Sequence, residues 1–234
     1  MGDSTKAESV TASEQLVVRY SIWDLARLKK GLYLLIKRTF DIVSSSLGLI
    51  VASPIMLATA AIVRLGDGGP AIYKQTRIGK GGKEFTIYKF RSMRIDADAR
   101  LAEMLKNDPL VAEEYAKNAK LKDDPRITKV GKFIRKTSID ELPQLINILK
   151  GDMSVVGNRP YMISERSKMG PVYTNIVSTR PGLTGYWQVS GRNDQTFKKR
   201  LELESFYSNN ASIRMDVRIF IKTFSAVIGA KGAE

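Results

Sequence analysis

With 234 residues the chain holds one packed domain plus a membrane segment, and its formal net charge of +14 suits anionic lipid, an anionic substrate or nucleic acid. Cysteine and histidine are both absent, which excludes a disulfide framework, a thiol nucleophile, a thiolate or imidazole metal site and the usual imidazole base. Catalysis would have to run on carboxylates, hydroxyls, Lys and Arg, with any metal a hard cation held by oxygen, magnesium first.

Residues 1–20 are polar, lack an extended apolar period and read as a mobile tail. From Trp23 to Ile36, Trp23, Leu25, Leu28, Leu32 and Leu35 recur near helical spacing with Arg27, Lys29 and Lys30 between them. That pattern fits an interfacial helix or an ordinary amphipathic core helix. No charge interrupts Ile42 to Val63; at about 1.5 Å per residue the stretch just reaches across a bilayer core of about 30 Å. Ser53-Pro54 breaks it at the centre, where a proline removes a helical donor and crowds the carbonyl four residues back. Lys37 and Arg38 precede it and Arg64, Lys74 and Arg77 follow, and basic flanks prefer the cytoplasmic side. The economical reading is a helix that dips into the inner leaflet, bends at Pro54 and returns to the same face; a kinked transmembrane helix fits the composition equally.

The fold class expected is α+β, with residues 21–65 as interfacial and re-entrant membrane segment and residues 66–234 as the main domain. Gly66 to Pro70 marks the boundary. Ala71 to Ile78 and Lys83 to Phe90 read as a β-hairpin around Gly79-Lys-Gly-Gly82, a cluster without P-loop spacing. Helices are expected over Asp96–Lys106, Leu110–Leu121, Pro143–Lys150 and Phe197–Phe206, with a loop-rich stretch from Gly151 onward. Ile213 to Ile228 reads as an amphipathic helix whose Arg214, Arg218 and Lys222 form a solvated face or a second headgroup contact.

The densest chemical signal is Arg135-Lys-Thr-Ser-Ile-Asp-Glu-Leu-Pro143. Pro143 cannot lie deep in a helix, so the helix is expected to start near Asp140, with Asp140 as N-cap and Glu141 in the first turn. Capping and dipole matching explain both residues without any catalytic role. The same place serves chemistry as well: a carboxylate can attack phosphorus while its neighbour holds magnesium against phosphate oxygens. Around it the loops carry Lys89, Arg91, Arg135, Arg159, Arg180 and Arg192, singly solvated charges but jointly suited to a diphosphate. Trp187 and Gln188 could stack on and hydrogen-bond a base, or Trp187 is simply core.

These residues resemble the bacterial sugar transferase family, the small monotopic polyprenyl-phosphate phosphoglycosyl transferases. The likeness runs from about Lys37 to the C-terminal helix. It rests on Lys37-Arg38-x-x-Asp41, Ser53-Pro54, Gln75-x-Arg77-x-Gly79-x-x-Gly82, Lys89-Phe-Arg-Ser-Met93, Asp124-Pro-Arg-Ile-Thr128 and Thr137-Ser-Ile-Asp-Glu-Leu-Pro-Gln144. Gly151-Asp-Met-Ser-Val-Val-Gly157, Arg180-Pro-Gly-Leu-Thr-Gly185 and Trp187-Gln-Val-Ser-Gly-Arg-Asn193 complete it. The resemblance is strongest to short members that initiate exopolysaccharide repeat units with galactosyl or glucosyl phosphate.

It implies a re-entrant helix broken at Ser53-Pro54, a compact cytosolic catalytic domain and interfacial helices, on the cytoplasmic face of a bacterial inner membrane. It implies transfer of a sugar 1-phosphate from a UDP-sugar to undecaprenyl phosphate with release of UMP. In that scheme Asp140 is the nucleophile of a covalent phosphosugar intermediate and Glu141 binds Mg2+, or Mn2+. The partners implied are UDP-sugar, undecaprenyl phosphate and anionic lipid, with no nucleic acid; homo-oligomerisation stays open. Two departures stand out: Asn158 precedes Arg159 where the family usually has Pro, and Glu204 stands where it often has Asp. The competing class, a membrane-tethered nucleic-acid-binding or scaffold protein, lacks the interleaved basic and aromatic positions such a module needs.

Overall fold

A computed structural model describes the backbone of residues 12–118, 121–191 and 195–228, and the side chains of 27–116, 121–191 and 195–223. Arg192 therefore lies outside the described residues. The chain divides into two compact units, Met1–Phe40 and Asp41–Glu234.

Helix α1 spans Ala12–Asp67 and so begins inside the stretch expected as a mobile tail. Over Arg27–Asp67 it is the one helix among the described residues long and apolar enough to cross a membrane. In the first unit, Lys37 Nζ lies over the Tyr33 ring, 5.9 Å from its centroid. In the second, Ile50, Val51, Leu57 and Leu65 are exposed apolar side chains with no protein cover. Pro54 sits inside the helix and cannot donate to the carbonyl of Ile50. The Ser53 hydroxyl donates to that carbonyl instead, at 2.8 Å. Ser-Pro thus satisfies an acceptor that a lipid core could not hydrate. At its start within the second unit, the buried Asp41 accepts from Ser154 Oγ at 2.9 Å and from the Val155 N–H at 2.8 Å.

Strands β1 (Ile72–Ile78) and β2 (Glu84–Phe90) pair antiparallel, with Ile78 opposite Glu84 and Ile72 opposite Phe90. The chain reverses between them through a 3-10 turn in which Gly81 and Gly82 take positive φ, which glycine adopts freely. Helices α2 (Ala97–Asn107) and α3 (Pro109–Asn118) follow, then α4 (Lys129–Lys136), which the sequence reading did not anticipate. Thr128 caps α4 by accepting from the Gly131 N–H at 2.8 Å. Any side chain at Gly131 would run into the Ser92 carbonyl, 1.9 Å from where its Cβ would lie. That close approach brings the start of α4 against the chain just beyond β2.

Helix α5 (Gln144–Lys150) stops at Gly151, in the left-handed region at φ 92°. Beyond it, the stretch read as loops contains β3 (Ser154–Val156) and β4 (Gly182–Thr184), a parallel pair, with a 3-10 segment over Ile163–Val172 and the single turn α6 (Tyr173–Ile176) between. Helices α7 (Phe197–Asn210) and α8 (Ile213–Ile228) close the unit. Its main core joins Ile87 of β2, Leu145 and Ile148 of α5, Val155 of β3, Tyr207 of α7 and Ile219 of α8. Two smaller clusters flank it: one seats Ile134 of α4 against Phe90 and Val63, the other packs Ile78 against Tyr161 and Leu201. Strand β2 touches the main core and the α4 cluster, so residues just inside and beyond its end are held from both sides.

Candidate active site

Asp140 is not a helix cap. Ser138 takes the left-handed conformation at φ 57°, the only non-glycine among the described residues to do so, and turns the chain before Asp140. Such a residue costs about 1 kcal/mol or more and marks a place the surrounding structure over-determines. A single 3-10 turn, Ile139–Glu141, follows, and α5 begins only at Gln144, with Pro143 in the cap position. The two carboxylates are therefore presented from a turn between α4 and α5.

Asp140 is 8% exposed. Lys89, on β2, places its Nζ 2.6 Å from Glu141 Oε1 and 4.0 Å from Asp140 Oδ2. Burial pushes the Asp140 carboxyl up to about 6; the Lys89 charge opposes this, Glu141 adds to it, and Arg135 opposes it again. Arg135, in the last turn of α4, donates from Nε to Ser92 Oγ at 2.8 Å. Its guanidinium lies in the fields of Asp140 and Asp124, and burial draws its pKa below the ordinary value. Lys89, Arg135, Asp140 and Glu141 are thus one charged cluster.

An open cleft begins at this cluster, and Lys89, Glu141, Gln144, Arg77, Arg159 and Gln188 all line it. Arg77, on β1, donates from Nη1 to the Pro160 carbonyl at 3.2 Å and also hydrogen-bonds Gln75. Burial, and then the like charge of Arg159, lower its pKa. The Nε atoms of both arginines are buried without a hydrogen-bond partner among the described residues. A buried unpaired donor costs about 1–3 kcal/mol, and two guanidinium groups facing one cleft with donors to spare fit an anion that accepts from both.

The remaining candidates sit elsewhere. Arg91 is buried and its guanidinium pairs with both oxygens of Asp67 at the end of α1, one contact being 2.8 Å; it does not line the cleft. Arg180 Nε donates to the Gly151 carbonyl at 3.0 Å, bracing the turn after α5. Trp187 is 7% exposed, with the Arg200 guanidinium 4.5 Å from its ring centroid, so core packing occupies the ring proposed for a base. Gln188 does reach the cleft. The sequence motifs include both Arg77 and Gln144, yet neither was placed at the site. The signal was there: Gln75-x-Arg77 puts both side chains on one face of a strand.

Among the described residues, no three Asp or Glu side chains converge in a way that could hold a metal ion by themselves. Magnesium is commonly held by one or two carboxylates plus substrate phosphates. Glu141 lines the cleft and supplies one such carboxylate, so the residues present fit that ion.

A long apolar helix, a mixed helix-and-strand unit and two adjacent carboxylates beside a cleft lined by cations are the features of a membrane-associated protein with a site suited to anions. The chain belongs to the bacterial sugar transferase family, whose model matches residues 32–230. It is 50% identical over 198 residues to the undecaprenyl-phosphate galactose phosphotransferase of Salmonella typhimurium, covering 85% of this chain and 41% of that one. It is 42% identical over 197 residues to the exopolysaccharide production protein ExoY of Sinorhizobium fredii, covering 84% of this chain and 87% of that one. It is 35% identical over 207 residues to the UDP-glucose:undecaprenyl-phosphate glucose-1-phosphate transferase of Escherichia coli, covering 85% and 41%. The chain thus spans less than half the length of the Salmonella and Escherichia relatives and most of ExoY.

Proposed function

We propose that the protein transfers a sugar 1-phosphate from a UDP-sugar to undecaprenyl phosphate, the first membrane step of exopolysaccharide or related glycan assembly. The observation that carries this is the buried Asp140 carboxylate next to Glu141, which with Lys89, Arg77 and Arg159 lines the adjoining cleft. The galactose and glucose in the names of the Salmonella and Escherichia relatives favour UDP-galactose and UDP-glucose as the first donors to try.

In this scheme an Asp140 oxygen attacks the β-phosphorus. A new P–O bond forms to the carboxylate, the bond to the bridging oxygen breaks, and UMP leaves with that oxygen and its electron pair. An oxygen of undecaprenyl phosphate then attacks the same phosphorus and releases the carboxylate unchanged. Asp140 needs no base, because a carboxyl held at about 6 is largely ionised at neutral pH. Burial strips water from it, and a position fixed by the turn after Ser138 keeps the attacking oxygen oriented. Lys89, Arg77 and Arg159 spread the charge of the diphosphate. A magnesium ion, when bound, would neutralise phosphate oxygens, and Glu141 would hold it.

The apolar helix serves as a re-entrant anchor that keeps this site on the cytoplasmic face of the inner membrane, where both substrates meet. Ser53-Pro54 and basic residues at both flanks support that geometry. Membranes containing the protein, given undecaprenyl phosphate and UDP-galactose or UDP-glucose labelled in the sugar, should place the label in lipid and release UMP. Label in lipid with UDP as the co-product would refute the phosphoryl-transfer reading.

A further inference from the structure

Glu204, on α7, is fully buried, and the chemistry above does not use it. Its Oε1 accepts from the backbone N–H of Arg159 at 2.9 Å, while Oε2 has no hydrogen-bond partner among the described residues. The Tyr161 hydroxyl and the guanidinium groups of Arg159 and Arg200 are its electrostatic neighbours. Burial pushes the carboxyl up to about 7 against the hydrogen bond and positive charge of Arg159, so the position is costly for the fold. An apolar side chain of similar volume would fill such a site at less cost. What the carboxylate supplies is a fixed backbone at Arg159.

Other bonds converge on the same loop. The Asn158 amide nitrogen lies 3.0 Å from the Ile176 carbonyl and 2.7 Å from Ser208 Oγ, and the Asn158 carbonyl accepts from the Gly182 N–H at 2.8 Å. Arg77 holds the Pro160 carbonyl, and the Ile78 N–H donates to the Tyr161 carbonyl at 2.9 Å. Asn158 cannot fix φ as a proline would, but its buried amide ties the loop to the end of α6 and to α7. The Arg159 N–H is held by a charged acceptor, and Arg159 is the loop's guanidinium in the cleft.

We propose that Glu204 is a positioning residue: by holding the Arg159 N–H and lying beside its guanidinium, it sets how tightly the cleft binds the diphosphate of the nucleotide sugar. This rests on Arg159 being a diphosphate-binding residue. The test is a double-mutant cycle on the full chain in detergent, reading steady-state UMP release at saturating undecaprenyl phosphate against UDP-sugar concentration. Glu204→Gln should raise the KM for UDP-sugar about tenfold with the maximal rate changed less than about threefold, the pattern of lost binding. In an Arg159→Ala background the same change should add less than about twofold, because residues acting through one another are not additive.

A KM within twofold of wild type in Glu204→Gln, while Arg159→Ala raises it, would overturn the inference alone. So would equal effects of Glu204→Gln in both backgrounds, which would mark a merely structural carboxylate. An unchanged KM in Arg159→Ala would overturn the binding reading of Arg159 itself, and this inference with it. If Glu204→Gln does not fold, Glu204→Asp, which keeps the charge but falls one methylene short, enters the same cycle with about a threefold rise in KM expected. Failure of both variants to fold would make Glu204 a folding determinant and end the proposal.

Discussion

Replacing Asp140 by Asn should make the protein more stable while removing its turnover. Burial lifts the carboxyl from 3.8 to about 6 even after Lys89 and Arg135 pull it back. At about 1.4 kcal/mol per unit, the ionised form weakens the folded state by at most about 3 kcal/mol at neutral pH. The sign follows from proton binding. The folded state holds this proton more tightly than the unfolded chain, so stability from this group falls as pH rises from about 4 to about 6 and stays low above. Asparagine carries no charge to desolvate, although its amide must be buried in turn, which trims the gain to about 1–3 kcal/mol. Lys89 keeps its closer partner, Glu141. For a chain of this size 1 kcal/mol moves Tm by about 2–4 °C. Thermal unfolding in detergent should therefore show Asp140→Asn melting several degrees above wild type at pH 8 and close to it at pH 4.5. In parallel, UMP release should fall by about three orders of magnitude or more, because no carboxylate remains to attack. Equal melting at pH 8 would refute the desolvated environment, and turnover within tenfold of wild type would refute the nucleophile.

Further outcomes follow from the same geometry. The pre-steady-state rate of UMP release should rise with pH through about 6 and level off above, as Asp140 ionises; a profile flat from pH 5 to 8 would contradict this. Trp187→Phe should leave the KM for UDP-sugar within about twofold while lowering Tm, and Gln188→Ala should raise that KM, since only Gln188 reaches the cleft. Activity should require magnesium or manganese and survive zinc-selective chelators; full activity in excess EDTA after dialysis would remove the metal. Single cysteines replacing Thr5 and Ala230 in this Cys-free chain should both be labelled only after the inner membrane is breached. Periplasmic labelling of either one would establish a crossing, and Pro54→Ala should shift some molecules towards it.

The features legible in the sequence are those encoded locally. Helical periods gave α7 and α8, and glycines with alternating apolar residues gave the β1–β2 pair. The Asp140–Glu141 pair announced itself by density of charge. What stayed hidden depends on contacts between distant positions. Strands β3 and β4 are three residues each, too short for a period to show, and the second returns to the first only after the segment containing α6. Arg91 resembled a phosphate ligand because its partner, Asp67 at the end of α1, falls in a stretch read as mere punctuation. Trp187 resembled a stacking platform because nothing local places Arg200 on its ring. Charge type is written in the sequence, but charge partnership is written in the packing.

In the proposed reaction that distinction lets a nucleophile and an anionic substrate sit side by side. A buried carboxylate alone would be protonated at neutral pH and inert; the same carboxylate in tight ion pairs would be a weak nucleophile. Lys89 lies against Glu141 and only 4.0 Å from Asp140, close enough to keep Asp140 ionisable without a short ion pair. Arg91 and Arg180 are committed to Asp67 and to the Gly151 carbonyl, so they hold the scaffold rather than the substrate. Arg77 and Arg159 line the cleft, and their Nε atoms are buried without a hydrogen-bond partner among the described residues. In the proposed reaction these two guanidinium groups bind the diphosphate, while Lys89 keeps ionisable the carboxylate that attacks it.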